Sequence, residues 1–387
     1  MSLTELVMID PDAIDHFGHY LAYDSRLALA ATRQGLSFSV LGHAACDPFD
    51  LDLSFRLQPA LSRHSWAIGK CPMGAAVADL TGFEAELSEQ LRRRDAVDGR
   101  EFRWFLYVGS LEHAQCISNV LDGFDRHRFL VNLFYTPFFD FTSDDYYAGW
   151  RGFVANHHPH LRMSAPSEQF AARFAARFGV QLPVTPHPST TFGDQELPPP
   201  VPVGTPTHAP LRILFPGGMR EEKGFALTAD VAIRLQTGTS QSYACAVRAL
   251  ARPSTPPGLL GSIADLQRAG VEVVGGMLDD AAFRALLADA DLIVLPYGGE
   301  FRERTSGLLI DALLLSTPVV VIAGTWLADL VTRHGVGRVA EESVEGIIAA
   351  IHAAAADHAA LRANIGAFRE GYLAGNSWAD LVRFITD

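Results

Sequence analysis

Short apolar runs alternate with amphipathic segments along the second half of the chain. The runs are rich in Val, Ile and Leu, which is typical of strands buried on both faces of a parallel sheet. The segments between them repeat apolar residues with the period of a helix. The pattern predicts strands at 211–216, 242–250, 271–276, 291–297 and 318–324, and helices at 223–235, 279–288 and 306–316.

The first half of the chain shows the same alternation more weakly. It predicts strands at LVMI (6–9), SFSVLGH (37–43), FRWFLYV (102–108) and HRFLVNLFY (127–135), and helices at 21–34 and 83–94. Alternation of this kind is the signature of an α/β fold with doubly wound sheets. We therefore expect two Rossmann-like domains, with ligands at the carboxyl ends of their strands.

A proline-rich stretch separates the two halves. Residues 183–210 hold nine of the 22 prolines and show neither a helical nor a strand period, as expected of an interdomain linker. We predict an N-terminal domain at 1–185, a linker at 186–209 and a second domain at 210–370. Residues 371–387 are predicted to form a C-terminal helix that crosses back to the N-terminal domain.

The amino-acid composition limits the class of protein to which this chain can belong and the kinds of partner that it can bind. A chain of 387 residues is too long for one core, and 48% hydrophobic with 19% charged residues indicates a globular protein. The net charge of −13 argues against nucleic acid or bulk anionic lipid as the main partner. A local cationic pocket for a phosphorylated ligand remains compatible with it.

The cysteines and the start of the sequence bear on the cellular compartment in which the protein is expected. Four scattered cysteines without CxxC spacing read as reduced thiols, with neither a disulfide framework nor a metal site. The sequence shows no signal peptide at its start and no apolar run of the roughly 18 residues that a spanning helix needs. We expect a cytoplasmic protein, with peripheral contact at the inner face of a membrane still compatible.

Residues 211–227, LRILFPGGMREEKGFAL, carry the first chemical motif. The predicted strand enters a Pro-Gly-Gly turn that contains Gly218, and Arg220 and Lys223 arrive as a helix begins. Lys223 is one of only two lysines in the chain. Helix-start amides, the helix dipole and two cations together favour an anion site. A plain Gly-rich turn with solvated charges is the alternative.

Residues 295–321, LPYGGEFRERTSGLLIDALLLSTPVVV, carry the second motif. Glu303 lies on a charged loop, Thr305, Ser306 and Gly307 open a helix, and Asp311 follows Glu303 by eight positions. Two carboxylates could then flank a ligand whose phosphates lie on the helix-start amides, because sugar and ribose hydroxyls donate hydrogen bonds to carboxylates. The alternative is a charged surface loop before an ordinary core helix.

Taken together, the two motifs resemble the donor-binding domain of retaining glycosyltransferases with the GT-B fold, of the family 4 or group 1 type. That family has a Gly-rich turn with Arg and Glu-Lys-Gly, and later a Pro, a Glu, a Gly-rich loop, a second acid eight positions on and a Pro-Val-Val strand. The match spans roughly residues 210–325. It departs from the family at Asp311, where Glu is usual, and at Arg304–Ser306, where Gly-Phe-Gly is usual.

The resemblance implies an activity and its partners. It implies two Rossmann-like domains facing across a cleft, and transfer of a sugar from a nucleotide diphosphate to a hydroxyl with retention, without a bound metal or cofactor. The acceptor would be a glycan, a lipid-linked sugar or a protein in surface or secreted glycan assembly.

The resemblance also assigns residue roles. Arg220 and Lys223 would neutralise the leaving diphosphate, Glu303 would hold sugar hydroxyls and Asp311 would bind the ribose. The remaining residues expected to contact the donor are Gly18, Gly218, Met277, Thr305, Ser306 and Gly307.

The first domain would supply the acceptor site. Gly18 and His19 lie in the predicted turn before its first helix, where the family often has a Gly-Gly pair close to the donor phosphates. His113 lies where the family sometimes has a histidine near the reacting sugar. A packed or capping histidine is the alternative in both cases.

Two other functions stay open for a chain of this pattern. One is a non-catalytic subunit that binds a nucleotide sugar, which the altered Gly-rich loop and Asp311 would suit. The other is a nucleotide-sugar epimerase with a similar two-domain fold.

Overall fold

The computed structural model describes residues 3–14, 20–47, 53–69, 77–96, 99–134, 144–202, 208–238, 242–251 and 255–387. The chain divides into two compact units. The first comprises Met1–Thr190 with Asn376–Asp387, and the second comprises Thr191–Gly375. Helices and strands alternate through both units, so each is an α/β unit.

The first part of the chain supplies six strands and six helices within the described ranges. In chain order they are β1 (Leu3–Asp10), α1 (Tyr20–Arg33), β2 (Ser37–His43), β3 (Arg56–Leu61), α2 (Ser65–Gly69), α3 (Val77–Asp95), β4 (Arg100–Leu106), α4 (Leu111–Val120), β5 (His127–Asn132), α5 (Asp144–Asn156), β6 (Leu161–Ser164) and α6 (Glu168–Phe178).

The second unit follows the same plan. Its elements are β7 (Leu211–Phe215), α7 (Phe225–Thr237), β8 (Tyr243–Ala249), α8 (Pro257–Arg268), β9 (Glu272–Gly275), α9 (Asp280–Ala288), β10 (Leu292–Leu295), α10 (Gly307–Leu314), β11 (Val319–Ile322), α11 (Trp326–His334), β12 (Gly337–Ala340), α12 (Val344–Ala356) and α13 (His358–Leu373). Helix α14 (Trp378–Thr386) then belongs to the first unit.

Each unit contains a parallel sheet, six-stranded in the part of the chain that the structure describes. The strand orders are β3-β2-β1-β4-β5-β6 and β12-β11-β10-β7-β8-β9. In both sheets the chain moves outward from a central strand and then returns to that strand's other side. These central pairs, β1 with β4 and β7 with β10, are the switch points at which doubly wound sheets bind ligands.

Alternate residues of the central strands feed two separate cores. In β1, Leu6 and Met8 join the cluster that contains residues of α1 and α14. Val7 and Ile9 face the opposite cluster, built with residues of α3 and α4. In the second unit β10 and β11 are buried along their whole length. Their continuous Val, Ile and Leu sequences reflect burial on both faces.

The nine predicted strands are all present, while three further strands were not predicted. These are β3, β6 and β12, and each lies at an edge of its sheet. An edge strand is covered by fewer neighbours and keeps polar or exposed positions, as the partly exposed pattern of β3 illustrates. The sequences of β3, β6 and β12 each contain an Arg and lack the apolar run that revealed the central strands and the fourth edge strand, β9.

Part of the proline-rich stretch belongs to the second unit. The division falls between Thr190 and Thr191, inside the stretch predicted as a linker over 186–209. The Val201 amide donates a hydrogen bond of 3.2 Å to Ser316 Oγ, and the Arg369 guanidinium donates to the Pro198 carbonyl. The described parts of this stretch, 183–202 and 208–210, contain no helix or named strand, and contacts such as these are individual hydrogen bonds, which leave no period in the sequence.

Helix α14 completes the core of the first unit. Trp378 is buried, its Nε1 donates a hydrogen bond of 3.0 Å to the Ser189 carbonyl, and its ring lies 4.9 Å from that of Tyr23. The returning segment begins at Asn376 rather than residue 371, because α13 continues to Leu373. Its buried apolar residues are Trp378, Leu381, Val382 and Ile385.

Among the described helices, no single one is long and apolar enough to cross a membrane. One sharply bent pair, Val344–Ala356 with His358–Thr386, has the necessary length and composition, and only these two properties support it.

We expect Trp378→Ala to destabilise the first unit by about 3–5 kcal/mol, the usual cost of removing a buried Trp. Hydrogen exchange measured by mass spectrometry should rise in β1 and α1 and stay unchanged in β10 and β11. Arg383→Ala is the matched control, because Arg383 lies on the same helix with its side chain 58% exposed. Equal exchange in the two variants would contradict the expected role of the Trp378 side chain.

Candidate functional site

The loops that follow β7 and β10 meet at the switch point of the second sheet. These strands are neighbours, with Ile213 opposite Leu292, so the loops leave the same edge of the sheet side by side. The Gly298 amide donates a hydrogen bond of 3.2 Å to the Glu222 carbonyl. The two sequence motifs are therefore adjacent in the fold.

Gly224 permits the closest approach between these loops. It follows the short 3-10 turn Glu221–Lys223 and has a φ of +65°. A Cβ atom at this position would lie 2.0 Å from the Pro296 carbonyl oxygen. Both the left-handed conformation and the lack of space require glycine. The Glu-Lys-Gly sequence is thus explained by packing as well as by chemistry.

Arg220 is held against the first turn by Glu222. Its Nε donates a hydrogen bond of 2.6 Å to Glu222 Oε1, and Nη2 contacts the same oxygen. Both side chains are partly buried. The ion pair orients the guanidinium, and Nη1 makes no hydrogen bond to a described residue. One face of the Arg220 fork is therefore available to an anion.

Lys223 lies over two aromatic rings from the loop after β10. Its Nζ is 5.2 Å from the centre of the Tyr297 ring and 5.7 Å from that of Phe301. The two rings pack edge to face at 4.7 Å. Ring faces attract a cation electrostatically, so this pair positions the ammonium group. The sequence motifs pointed to Lys223 but not to the aromatic residues that hold it.

Tyr297 is buried beneath the Gly-rich turn. A Cβ atom added at Gly217 would lie 3.2 Å from Tyr297 Cε1. Among the described residues the Tyr297 hydroxyl has no hydrogen-bond partner. Burial raises the pKa of Tyr297, an effect opposed by Arg220 and Arg248, so the phenol stays protonated. A buried, unpaired hydroxyl beside two cations is a group that a bound anion could satisfy.

The start of α10 supplies further donors. Ser306 caps the helix, its Oγ accepting from the Leu309 amide at 3.4 Å. Thr305 is 4% exposed, and within the described ranges its Oγ1 lacks a hydrogen-bond partner. Gly307 begins the helix, whose positive dipole end favours an anion. Arg304 is also buried, with its guanidinium 5.9 Å from the Phe301 ring.

The two acidic residues of the second motif differ in their surroundings. Asp311 is 3% exposed, and its Oδ2 accepts a hydrogen bond of 2.6 Å from Thr191 Oγ1. Glu303 is half-buried on the loop. Arg302 anchors this loop by donating to the Ala323 carbonyl at 3.1 Å and pairing with Glu342. Thr191 was not predicted, because it lies within the stretch interpreted as a linker.

Met277 and Gly218 take different positions in the unit. Gly218 lies in the turn after β7, where an added Cβ atom would lie 3.6 Å from the Leu250 carbonyl oxygen. Met277 is 52% exposed and follows β9, which lies two strands from β7. Strands are spaced about 4.8 Å apart, so Met277 lies on the same edge of the sheet but away from Arg220 and Lys223.

The candidate residues of the first unit are not assembled in the same way. Gly18 and His19 fall outside the described residues. His113 is fully buried in α4, with Nδ1 2.9 Å from Ser110 Oγ and its ring packed edge-on against Phe83. Burial lowers the pKa of His113 to about 3. The His113 ring is thus packed within the first unit, and its contact with a reacting sugar stays a prediction; among the described residues its Nε2 has no hydrogen-bond partner.

The switch point of the first sheet instead contains buried acids that the sequence analysis missed. Asp10 ends β1, and burial together with Asp12 raises the pKa of Asp10 to about 7. Asp24 in α1 is fully buried, and neither carboxyl oxygen has a partner among the described residues. Burial and Asp10 raise the pKa of Asp24. An Asp directly after a predicted strand was the signal available in the sequence.

A small cavity adjoins these acids. It offers ≈ 10 Å³ to the centre of a water molecule and is lined in part by Asp10, Tyr20, Tyr23 and Tyr107. That space holds about one water. The Tyr23 hydroxyl has no hydrogen-bond partner within the described ranges. A water molecule in this cavity could supply one.

The raised pKa of Asp10 predicts a pH-dependent stability. In the unfolded chain this carboxyl ionises near its ordinary pKa of 3.8, whereas in the folded protein it ionises near 7. Between these values the folded state keeps a proton that the unfolded state releases, so the free energy of unfolding falls as pH rises. Asp10→Asn keeps the acceptor for the Asp12 amide and does not ionise. The difference in Tm between variant and parent should therefore grow from pH 4 to pH 8.

Asp122→Asn is the control for this pH series, because the Asp122 side chain is 98% exposed. A Tm difference for Asp10→Asn that stays constant across the series would show that the Asp10 carboxyl does not titrate in this range.

A substitution at Gly224 tests the contact between the two loops. Gly224→Ala introduces a Cβ atom that overlaps the Pro296 carbonyl, whereas Gly270→Ala faces open space at a φ of +80°. The left-handed conformation alone costs about 1–2 kcal/mol. We expect Gly224→Ala to lose about 1–3 kcal/mol more, measured by denaturant unfolding. Equal losses in the two variants would show that the loops can separate freely.

Sequence comparisons contribute little here. No protein-family model matches the chain, and no curated protein matches it closely enough to count as a relative.

Comparison with solved structures, in contrast, finds matches along almost the whole chain. A glycosyltransferase from Rickettsia africae has a TM-score of 0.67 at 10% identity, covering 99% of this chain and 97% of that one. Sucrose-phosphate synthase from Thermosynechococcus elongatus has a TM-score of 0.65 at 15% identity, covering 98% and 97%.

HepE of Anabaena, solved in complex with UDP-glucose, is similar at a TM-score of 0.64 and 13% identity, covering 99% of this chain and 98% of that one. At identities this low, the similarity concerns the fold. The sheet orders and helices of both units agree with it, and the chain has the GT-B fold with two Rossmann-like units.

Proposed function

We propose that this protein is a retaining glycosyltransferase that moves a sugar from a nucleotide-diphosphate donor to a hydroxyl acceptor. The observation that carries the proposal is the contact of the Arg220–Lys223 turn with the loop after β10, through the Gly298–Glu222 hydrogen bond and the packing of Lys223 on Tyr297. In the proposed site, these two cations and the N-terminus of α10, which follows that loop, surround the donor. The GT-B fold supports it, since HepE has that fold and was solved with UDP-glucose.

In this proposal the donor diphosphate lies between the two loops. Arg220, oriented by Glu222, and Lys223, held over Tyr297, neutralise the charge that grows on the leaving diphosphate. Such preorganised charges stabilise a transition state without reorganising during the reaction. Thr305 Oγ1 and the amides of Ser306 and Gly307 donate hydrogen bonds to the phosphate oxygens.

The sugar and the ribose engage the two acidic residues. Glu303 accepts hydrogen bonds from the sugar hydroxyls. Asp311, oriented by Thr191, accepts from the ribose hydroxyls. The Asp311 side chain is one methylene shorter than the Glu that is usual at this position in the family that the chain resembles. The hydrogen bond from Thr191 offsets this difference by holding the Asp311 carboxylate in place.

The transfer step needs no carboxylate nucleophile. The acceptor hydroxyl oxygen bonds to the anomeric carbon while the bond from that carbon to the diphosphate oxygen breaks. The leaving phosphate oxygen takes the acceptor proton. Both events occur on the same face of the sugar, so the configuration is retained. Arg220 and Lys223 supply the positive charge, and we propose that no metal ion or cofactor takes part.

The acceptor in this proposal is a glycan, a lipid-linked sugar or a protein destined for a surface or secreted glycan. The enzyme would act in the cytoplasm and touch the inner face of the membrane only peripherally, since a net charge of −13 repels bulk anionic lipid.

Thermal stability with UDP, GDP, ADP and their sugars tests donor binding, because a ligand that binds the folded state raises Tm by mass action. The preferred nucleotide should stabilise the parent protein and have a much smaller effect on Arg220→Ala and Lys223→Ala. Glu303→Ala should retain nucleotide binding and lose transfer by roughly 100-fold or more, as is usual when a group that contacts the transition state is removed. Transfer is measured by mass spectrometry of products.

Arg268→Ala is the matched control, since Arg268 lies on α8 of the same unit with its side chain 78% exposed. Nucleotide binding without turnover over a broad acceptor panel would favour a non-catalytic binding subunit. An isomerised donor sugar would favour an epimerase. Failure of every nucleotide to bind would contradict the proposal.

A further inference from the structure

An exposed tryptophan marks the first unit at a place that the donor site does not use. Trp66 in α2 is 52% exposed and is the one aromatic residue among the exposed large hydrophobics of the described ranges. Trp104 and Trp378, by contrast, are buried. An indole left half in water forgoes hydrophobic stabilisation. Exposure of this side chain therefore calls for an explanation.

The Trp66 side chain is held in place, because it belongs to a stack of three rings. The His64 ring lies 5.4 Å from the Trp66 ring with an angle of 17° between their planes. The His43 ring lies 4.6 Å from the His64 ring at 23°. We call His43, His64 and Trp66 the ring stack. One face of the indole is covered by His64, which leaves the other to a ligand.

Asp12 holds the ring stack in place from beneath. Its Oδ1 lies 3.0 Å from His64 Nδ1, and its Oδ2 accepts from Ser65 Oγ. The carboxylate itself is 6% exposed, and its backbone amide donates to Asp10 Oδ1 at 3.0 Å. The stack is thus preorganised by the end of β1, which lowers the entropic cost of binding a ligand.

The imidazoles give the ring stack polar groups beside its apolar face. The Ala45 amide donates a hydrogen bond of 3.1 Å to His43 Nδ1, so Nδ1 is an acceptor and the ring proton resides on Nε2. Burial and the neighbouring His64 lower the pKa of His43, which keeps this tautomer neutral. His64 uses Nδ1 toward Asp12 and has Nε2 remaining. A flat apolar face is therefore flanked by ring nitrogens able to donate and accept.

These residues come from the carboxyl ends of three adjacent strands. Asp12 follows β1, His43 ends β2, and His64 and Trp66 follow β3. That edge of a doubly wound sheet is where ligands bind. The stack adjoins the central strand of the first sheet.

The chemistry of the ring stack selects one class of ligand. A pyranose ring has an apolar face of C–H groups that packs on an indole, and a rim of hydroxyls that both donate and accept hydrogen bonds. A phosphate-rich ligand is disfavoured by Asp12 and by Glu86, whose carboxylate accepts from the Ser62 amide at 3.1 Å. An acyl chain would leave the imidazole nitrogens unpaired.

We infer that His43, His64 and Trp66 form an acceptor subsite that stacks one neutral pyranose ring of a glycan. This inference rests on the proposed function for its link to transfer, since it names the substrate class of the acceptor. Binding of the glycan itself depends only on the first unit. The acceptor class is thereby narrowed from a glycan, a lipid-linked sugar or a protein to an acceptor that ends in a neutral pyranose, whether free or lipid-linked.

The test measures glycan binding separately from nucleotide binding. The full chain is applied to an array of glycans ending in glucose, galactose, mannose, N-acetylglucosamine or glucuronate, and the best neutral binder is titrated by calorimetry. Trp66→Ala should weaken its Kd by about five- to tenfold, and Trp66→Phe, which keeps a ring on His64, by about twofold. Leu29→Ala is the matched control, an exposed apolar residue in α1 at 42% exposure.

Circular dichroism and the Tm shift with UDP-glucose are measured on every variant. If UDP-glucose fails to bind but the glycan Kd responds to Trp66, the subsite stands and the transferase proposal falls. If transfer occurs and Trp66→Ala leaves both glycan Kd and acceptor KM unchanged, the subsite is overturned. A parent protein that binds no glycan on the array, or binds only glucuronate ends, overturns it as well.

Discussion

The contact of Gly224 with the Pro296 carbonyl is the constraint on which the second unit's site depends. It brings the turn after β7 against the strand end of β10 at a distance that no side chain permits. Lys223 then lies over Tyr297 and Phe301 as a consequence of this approach. Because Gly224 has no Cβ atom, the loops after β7 and β10 can pack together and present their charges on one surface.

The central strands were predictable from sequence because strands buried on both faces have continuous runs of Val, Ile and Leu, as in β10 and β11. The edge strands β3, β6 and β12 were not, since each contains an Arg and none has a continuous apolar run. The proline-rich stretch was misjudged for a related reason. Its contacts to Ser316 and Arg369 are single hydrogen bonds, which leave no periodic pattern.

The candidate site was predictable only in part. Arg220 and Lys223 could be proposed because cations at the start of a helix are a local signal, and Glu303 and Asp311 because their eight-residue spacing resembles that of a known family; the roles of all four stay predictions. Tyr297 and Thr191 contact residues that are distant in sequence, so only the folded chain identifies them, whereas Asp10 follows a predicted strand and could have been noticed. The burial of His113 in α4 could not be predicted either, because burial of a helix face is a tertiary property.

The return of α14 has a consequence for how the protein is made. Trp378, Leu381, Val382 and Ile385 cover apolar surface on α1 and the first sheet, yet they follow the whole second unit in chain order. On the ribosome, the first unit must therefore wait with that surface open while Thr191–Gly375 is synthesised. Domains ordinarily fold as they emerge, the first before the next. Here the second unit is synthesised before the last helix of the first, so the first unit cannot complete its core until α14 has emerged.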